Sequence, residues 1–254
     1  MSQSLPPGIP PPPPGPPPSN RKVEEDKIRR CLFANCRSVS NFEKIATLGE
    51  GTYGTVYSAR DKSNGLVYAI KKLKIHDTNY GFPITSLREI NLLKQISSKF
   101  PHPNIIKLHE VVVGARSESI FLVFEYCDLD LSHLVDTMYI SKEYFGECEI
   151  KTIIFQLLNA INHLHENHIV HRDLKMSNLL LNKHGILKLA DFGLSKVFEA
   201  NTKKYTRGVV TLWYRSPEVL LEMDYDHLCD VWSVGCIFGE LLHFGRPILP
   251  GKNE

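Results

Sequence analysis

Short apolar segments with alternating polar positions begin near Asn41 and give way, from about Glu147, to longer segments with helical spacing. Between these points the pattern predicts a strand, a glycine-rich turn, a strand, an Asn64-Gly65 hairpin turn and a third strand. The segments Val111–Val113 and Ile120–Phe124 predict another hairpin. The pattern therefore favours an α+β chain with a small β-rich part ahead of a helical part.

The helix predicted to begin near Pro83 has an apolar stripe that contains one acid. Glu89 shares a face with Leu92, Leu93 and Ile96, at the i, i+3, i+4 and i+7 spacing of an inward-facing stripe. A carboxylate on that face requires a cation nearby, so we expect a lysine from another element to pair with Glu89.

A second helix is predicted from Asp230 to Leu242. Its apolar residues are spread around the whole circumference, which is typical of a buried helix. We therefore expect it to lie in the centre of the helical part.

The first forty residues have a different composition. Ten of the sixteen prolines lie between Pro6 and Pro18, which predicts an extended polyproline II tail. The tail is interpreted as a disordered spacer or as a ligand for SH3- or WW-type readers of proline-rich segments. Residues 21–30 are a mixed-charge run, interpreted as a solvated linker rather than a nuclear signal.

Composition narrows the classes of function. The chain has 254 residues, 43% of them hydrophobic, and a formal net charge of +2, which does not indicate nucleic acid as a direct partner. No apolar run reaches membrane-spanning length, so we expect no membrane association.

Six cysteines without regular spacing predict reduced thiols. His163, His165 and His168, near a helix end, can be interpreted as a metal cluster or as a surface group, and the expectation that they have no acidic or thiol partner favours the surface group.

Residues 49–54 read Gly-Glu-Gly-Thr-Tyr-Gly, a glycine pattern that dinucleotide-binding folds share. Here Thr55–Ala59 continues as a strand rather than a helix, which favours a phosphate-covering hairpin whose backbone N–H groups close over a nucleotide. Lys71, on the next strand, is the candidate phosphate-pairing lysine and partner of Glu89, and Lys72 is the candidate surface lysine.

The most specific motif is His171–Asn178, which reads HRDLKMSN and is followed by Asp191-Phe192-Gly193. Phosphoryl transfer requires cations, acids for Mg²⁺ and amide oxygens around negative charge. Asp173 is assigned to the substrate hydroxyl proton, Lys175 to the transferring phosphoryl group, and Asn178 and Asp191 to magnesium. The alternative is that the two aspartates only cap loops.

An adenine site needs apolar walls and a backbone edge. The residues assigned to the cofactor site, with the glycine turn, are Leu48, Gly49, Glu50, Gly51, Thr52, Tyr53, Gly54, Val56, Ala69, Lys71, Phe124, Glu125, Cys127, Asp130, Leu180 and Asp191.

These residues together make the chain resemble the cyclin-dependent protein kinases from about Phe42 to Glu254. Residues 83–89 read PITSLRE, the heptapeptide after which one branch of the family is named, and Gly81-Phe82 and Trp232–Leu242 are also similar to that branch. The chain is thus identified as similar to the PITSLRE, or cyclin-dependent kinase 11-like, branch, with the cyclin-dependent kinase 10 type as the alternative.

The resemblance implies a bilobal kinase fold. It divides the chain into a disordered proline-rich tail and charged linker (1–40), a β-rich N-lobe (41–126) and a mainly helical, incomplete C-lobe (127–254). It also implies ATP and Mg²⁺ as cofactors, and an L-type cyclin that docks on the Pro83–Ile96 helix and turns Glu89 inward.

The resemblance also implies a regulatory apparatus. Thr206 matches the activating phosphosite, and Thr52 and Tyr53 match inhibitory phosphosites. Residues 209–215 are similar to the platform that selects proline after the target serine or threonine, and Thr211 within it belongs to the catalytic set. The residues that match the family's phosphate-binding positions are Arg88, Arg172 and Lys196, the last of which stands where an arginine is usual.

Two functions follow as expectations. The first is a proline-directed, cyclin-activated serine/threonine kinase in the nucleus, with the cytoplasm as a second location, acting in transcription and pre-mRNA splicing or in cell-cycle control. The family continues beyond the Asp230 helix, whereas this sequence stops at Glu254, so about half of that helix's eight apolar side chains are expected to lack cover. The second function is therefore a catalytically weak, truncated kinase that competes for cyclin or acts as a scaffold.

Overall fold

The computed structural model describes residues 36–51, 54–73, 84–114, 119–198 and 211–252. Its strands are β1 (Phe42–Gly51), β2 (Gly54–Asp61), β3 (Val67–Leu73), β4 (Leu108–Val113), β5 (Ile120–Glu125), β6 (Leu129–Asp130), β7 (Ile169–Val170), β8 (Leu179–Leu181), β9 (Leu187–Leu189) and β10 (Lys196–Val197). Its α-helices are α1 (Ile84–Lys99), α2 (Leu131–Ser141), α3 (Glu147–Glu166), α4 (Pro217–Leu220) and α5 (Leu228–Leu242). Short 3₁₀ turns span Val39–Asn41, Met176–Asn178 and Leu212–Tyr214.

The N-terminal part is an antiparallel sheet with the strand order β1-β2-β3-β5-β4. The two predicted hairpins, β2–β3 and β4–β5, are confirmed. The β2–β3 turn contains Gly65 at φ 74°, a left-handed conformation that glycine adopts without steric cost. β3 is central, so the side chains of its alternate residues face opposite sides of the sheet.

One side of this sheet is filled by apolar side chains. The buried cluster consists of Phe42, Ala59, Ile70, Val112, Phe121 and Val123. On the helix side, α1 buries the predicted stripe of Glu89, Leu92, Leu93 and Ile96, which are at most 8% exposed. This packing fixes the rotation of α1, and with it the direction of Glu89.

The C-terminal part is mainly helical and contains two small sheets, β6-β8-β9 and β7-β10. The α3 helix buries six side chains, namely Ile150, Ile153, Leu157, Ala160, Ile161 and Leu164. Within the described ranges, no helix is both long and apolar enough to cross a bilayer. The predicted α+β architecture, a β-sheet lobe followed by a helical lobe, is confirmed.

The expectation that the Asp230–Leu242 helix is buried around its circumference is wrong. Helix α5 buries Val234, Ile237 and Leu241 and leaves an opposite face exposed. The apolar side chains of that face that are at least 41% exposed are Leu228, Val231, Trp232, Phe238 and Leu242. The reason is that α5 packs on α3 and on the Leu212–Tyr214 turn, which cover one side only. Four of the eight apolar side chains counted between Asp230 and Leu242 are therefore exposed.

Residues 36–40, which the sequence assigns to the linker, lie against the sheet. The guanidinium group of Arg37 donates to Asp61 Oδ2 at 2.9 and 3.0 Å, lies 3.4 Å from Glu110 Oε1 and stacks 5.1 Å above the ring of Phe42. The carbonyl of Arg37 also accepts from Val113 N at 3.0 Å, at the edge strand β4. The compact unit accordingly begins at Cys36.

Candidate active site

Three predicted residues from distant parts of the chain meet at one ammonium group. Lys71 Nζ lies 3.1 Å from Glu89 Oε1 and 3.1 Å from Asp191 Oδ1. Burial by itself lowers the pKa of Lys71, but the two carboxylates more than offset burial, so its pKa lies above the ordinary value. Lys72 is exposed because the next residue of a strand points to the other face. The ion pair with Glu89 also shows that α1 is in the inward orientation.

A second cluster surrounds Asp173. One of its oxygens, Oδ2, accepts from Lys175 Nζ at 2.8 Å, and the other, Oδ1, accepts from Thr211 Oγ1 at 3.0 Å. Lys175 Nζ also lies 3.4 Å from Thr211 Oγ1. Burial raises the pKa of Asp173, but the hydrogen bonds from Lys175 and Thr211 outweigh burial and the net pKa is lowered. Asp173 is therefore ionised at neutral pH and can accept a proton.

The amide of Asn178 has a defined direction. Its Nδ2 donates to the carbonyl of Asp173 at 2.7 Å and to Asp173 Oδ2 at 3.2 Å, which orients its Oδ1 as the end that can bind a cation. With the carboxylate of Asp191 this supplies two oxygen ligands, which suits Mg²⁺ because that ion usually takes further ligands from water and phosphates. Among the residues described, no group of three His, Cys, Asp or Glu could hold a metal alone.

The loop that carries Asp173 is held by Asp230, a residue whose role sequence reasoning missed. Asp230 is 1% exposed, and its two oxygens accept from the backbone N–H groups of His171 and Arg172 at 2.8 Å each. Arg172 has a φ of 66°, a left-handed value that costs energy for a residue with a side chain. The bonds from Asp230 stabilise this conformation, and an acid among apolar residues at the start of α5 was the signal for it.

Asp230 also corrects the interpretation of the histidines. His165 Nε2 lies 3.0 Å from Asp230 Oδ2, so the cluster does have an acidic neighbour, contributed by a distant helix. His163 Nε2 contacts the carbonyl of Phe100 at 2.8 Å, and His168 is exposed. The three side chains therefore make separate contacts.

The glycines of the phosphate-covering turn have different structural reasons. A Cβ on Gly49 would meet no atom within 4 Å, which leaves open space for a ligand next to the backbone. A Cβ on Gly54, at φ 153°, would collide with the carbonyl oxygen of Lys72 on β3. Gly54 is therefore required by the β2–β3 pairing as well as by any bound phosphate.

The apolar residues assigned to the adenine site lie on four strands of the N-terminal sheet and on β8. Leu48 is 47% exposed, while Val56, Ala69, Phe124 and Leu180 are partly buried. Ala69 pairs with Phe124 across β3 and β5, so these two lie side by side.

The segment that joins the two lobes contains a thiol and a helix cap. Burial, with a smaller contribution from Glu125, raises the pKa of the Cys127 thiol to about 12, so it is protonated at neutral pH. Asp130 caps α2, because its Oδ1 accepts from His133 N at 2.9 Å. This gives Asp130 a structural contact besides its assignment to the cofactor site.

The three phosphate-binding candidates lie on different elements of the fold. Arg172 is buried, and its Nε donates to the carbonyl of Leu194 at 2.9 Å. Arg88 is exposed on α1, and Lys196 lies in β10, paired with Val170.

Several predictions concern residues outside the described ranges. These are the proline-rich tail and charged run, Thr52, Tyr53, the start of the PITSLRE segment at Gly81–Pro83, Thr206 and Val209-Val210.

The platform residues that follow Thr211 are bonded to α5 and to the end of the described chain. The hydroxyl of Tyr214 donates to Glu240 Oε2 at 2.7 Å in the interior. Burial raises the pKa of Glu240 above its ordinary value. Trp213 Nε1 donates to the carbonyl of Gly251 at 2.8 Å. Sequence reasoning missed Glu240, because nothing in the local pattern connects it to Tyr214.

Next to this platform, the buried hydroxyl of Ser216 allows a test by mutation. Its hydroxyl is buried, at 1% residue exposure, and has no hydrogen-bond partner among the residues that the structure describes. We expect Ser216→Ala to raise the free energy of unfolding by about 1 kcal/mol, because it removes an unsatisfied polar group. Urea denaturation measures this change.

The matched control is Ser233→Ala. The Ser233 hydroxyl lies 2.8 Å from the carbonyl of Tyr214 and 3.1 Å from that of Cys229, so its removal is expected to lower the free energy of unfolding by about 1 kcal/mol. A loss of similar size in Ser216→Ala would contradict the assignment of an unsatisfied hydroxyl.

Comparisons with known proteins agree with this geometry. Residues 42–254 match the family model described as protein kinase domain. The chain is 50% identical over 220 residues to human cyclin-dependent kinase 11B, covering 86% of this chain and 27% of that protein. It is 51% identical over 220 residues to the Drosophila melanogaster serine/threonine-protein kinase PITSLRE (86% and 23%), and 48% identical over 229 residues to cyclin-dependent kinase G-1 of Oryza sativa subsp. indica (89% and 32%). The chain spans about a quarter to a third of the length of these relatives.

Proposed function

Since this chain belongs to the protein kinase family, we propose that it is an ATP-dependent protein serine/threonine kinase of the cyclin-dependent type. The observation that carries the proposal is the pair of clusters around Lys71 and Asp173. One places a cation between Glu89 and Asp191, and the other places an ionised acid between Lys175 and Thr211. Both arrangements provide what phosphoryl transfer needs, which is fixed charge and a proton acceptor.

Each residue of the site has its own role in phosphoryl transfer. ATP supplies the transferable phosphoryl group. Asn178 and Asp191 would hold Mg²⁺, which would supply positive charge against the phosphates. Lys71, oriented by Glu89, pairs with phosphate oxygens. Asp173 orients the serine or threonine hydroxyl of the substrate and accepts its proton. Lys175 lies beside Asp173 and balances negative charge on the phosphoryl group during transfer.

The proposal extends to partners and regulation. A cyclin, of the L type, docks on the Pro83–Ile96 helix and stabilises the inward position of Glu89. Substrates carry proline after the target serine or threonine, which the platform at residues 209–215 selects. Phosphorylation at Thr206 activates, with Arg88, Arg172 and Lys196 as the cationic partners, while phosphorylation at Thr52 or Tyr53 inhibits.

The cellular role that we propose is nuclear, in transcription and pre-mRNA splicing or in cell-cycle control, with the cytoplasm as a second location. A reader of SH3 or WW type for the proline-rich tail belongs to the same proposal. The names of the similar proteins support the cyclin-dependent kinase type, from which this cellular role is proposed.

A second candidate is a catalytically weak chain that competes for cyclin or acts as a scaffold. The observation that favours it is the exposed apolar face of α5, where Trp232 is 41% and Leu242 is 51% exposed. Exposed apolar surface of this kind forgoes about 25 cal/mol of stabilisation per Å². A chain whose C-terminal lobe is destabilised would still expose the α1 helix to a cyclin, so it would compete for cyclin with little catalysis.

Thermal unfolding in the presence of Mg-ATP, with and without an L-type cyclin, separates the two functions. We expect the unfolding midpoint to rise with Mg-ATP alone and to rise further with cyclin, because ligands that bind only the folded chain stabilise it. A rise with cyclin but none with Mg-ATP would support the competitor and refute the kinase.

A further inference from the structure

The segment that joins the two lobes is held from behind by one carboxylate. Glu125 is the last residue of β5, and its Oε2 lies 2.9 Å from Lys188 Nζ in β9. Its other oxygen, Oε1, accepts from the backbone N–H of Lys107 at 2.8 Å. The side chains are partly buried, with exposures of 25% for Glu125 and 13% for Lys188, so screening by solvent is limited.

A cavity of about 230 Å³, open to solvent on one side, borders the joining segment at Glu125. Its walls include Ile96, Ile105 and Ile106, and both Glu125 and Lys188 line it. Side chains that border a cavity have fewer van der Waals partners on that side. On this side, the position of Glu125 therefore depends on its polar contacts with Lys188 and with the backbone of Lys107.

Both partners of Glu125 are fixed to the helical lobe. Lys188 lies in β9, and the loop before Lys107 is bonded to the same strand. Ile106 N donates to the carbonyl of Leu189 at 2.9 Å, and Leu189 N donates to the carbonyl of Asn104 at 2.8 Å. The carboxylate of Glu125 thus connects the end of the N-terminal sheet to a rigid part of the C-terminal lobe.

We propose that Lys188 is a positioning residue for nucleotide binding, which acts by holding Glu125 and thereby the backbone of residues 125–127 in the conformation that receives adenine. The inference rests on the proposed function, and on the assignment of Glu125 and Cys127 to the cofactor site, which makes this backbone the edge that meets adenine. A backbone held in its binding conformation loses less conformational entropy when the ligand arrives. Lys188 itself lies behind the segment and does not touch the nucleotide.

Steady-state kinetics on the full chain with its cyclin test the proposal. Lys188→Met is expected to raise the KM for ATP about fivefold and to leave kcat within about twofold, because the lost contact affects binding and leaves the Asp173 cluster intact. Lys188→Arg retains a cation and is expected to restore most of the affinity. Glu125→Gln in combination with Lys188→Met should add little to the effect of the single lysine variant, because the two side chains act as one pair.

The matched control is Lys107→Met. Lys107 borders the same cavity but contributes its backbone N–H to Glu125, so loss of its ammonium group is expected to leave the KM for ATP unchanged. If Lys188→Met does not fold, as judged by circular dichroism, Lys188→Gln takes its place with the same expected change in KM.

The outcomes are separable from those of the proposed function. A wild-type chain that binds no Mg-ATP in calorimetry refutes the proposed function. A wild-type chain that binds Mg-ATP, together with a folded lysine variant whose KM for ATP is unchanged or whose kcat falls instead, overturns the inference alone. An equal rise of KM in Lys107→Met also overturns it, because that result would indicate a general effect of charge at the cavity.

Discussion

Asp173→Asn is expected to lower kcat about a thousandfold while the chain remains folded and still binds Mg-ATP. The amide cannot accept the substrate proton, and general-base catalysis contributes about 10²- to 10⁴-fold. Asparagine is nearly the same size, so its Oδ1 can still accept from Thr211, while its Nδ2 replaces the oxygen that accepts from Lys175 and Asn178. Asn178 keeps its bond to the backbone carbonyl of residue 173, so its orientation is retained. Phosphate incorporation into a Ser-Pro peptide measures the rate, and calorimetry measures the binding of Mg-ATP.

Asp224→Asn serves as the control, since Asp224 is exposed and lies outside both clusters. It should retain wild-type kcat. A kcat of Asp173→Asn within about tenfold of the wild type would show that another group accepts the substrate proton. That result would refute the role assigned to Asp173.

Asp230→Ala is expected to lower the free energy of unfolding by about 3 to 5 kcal/mol, the range for removing one partner of a buried charged network. The backbone N–H groups of His171 and Arg172 would lose a charged acceptor at a position where Arg172 already has a left-handed φ. Because the same loop carries Asp173, kcat should fall as well. Urea denaturation and the peptide assay report the two effects.

The matched control is Asp226→Ala, in the turn just before the same helix. Asp226 Oδ1 accepts from Leu228 N at 2.8 Å on the surface, and loss of such an exposed cap costs only about 1 kcal/mol. Equal losses in the two variants would show that Asp230 acts as an ordinary cap, and not as the support of the catalytic loop.

Local patterns predicted a large part of the fold. The Asn64-Gly65 turn, the second hairpin and the inward stripe of α1 depend on neighbours in sequence, and each is present in the structure. The resemblance to the PITSLRE branch is also confirmed, because the motifs that carry it are continuous segments and the similar proteins include members of that branch. The contact between Lys71 and Glu89 was predictable because a buried carboxylate requires a cation.

Contacts between distant segments were not predictable. Asp230 meets His165 and two backbone N–H groups almost sixty residues or more away in the chain, and Tyr214 meets Glu240 across the platform. No periodicity encodes such pairs, since they depend on how α5 packs against α3. The degree of burial of α5 was misjudged for a related reason, because a pattern shows which side chains are apolar but not how many neighbours surround the helix.

The contacts of Arg37 have a practical consequence for where the folded unit is cut. The family model starts at Phe42, yet the carbonyl of Arg37 pairs with Val113 and its guanidinium group neutralises the buried Asp61. A recombinant fragment begun at residue 42 would lose the bond to Val113 N at the end of β4 and would leave the carboxylate of Asp61, which is 1% exposed, without its cation. We therefore expect fragments that retain Cys36 and the five residues that follow it to unfold at a higher urea concentration than fragments begun at residue 42.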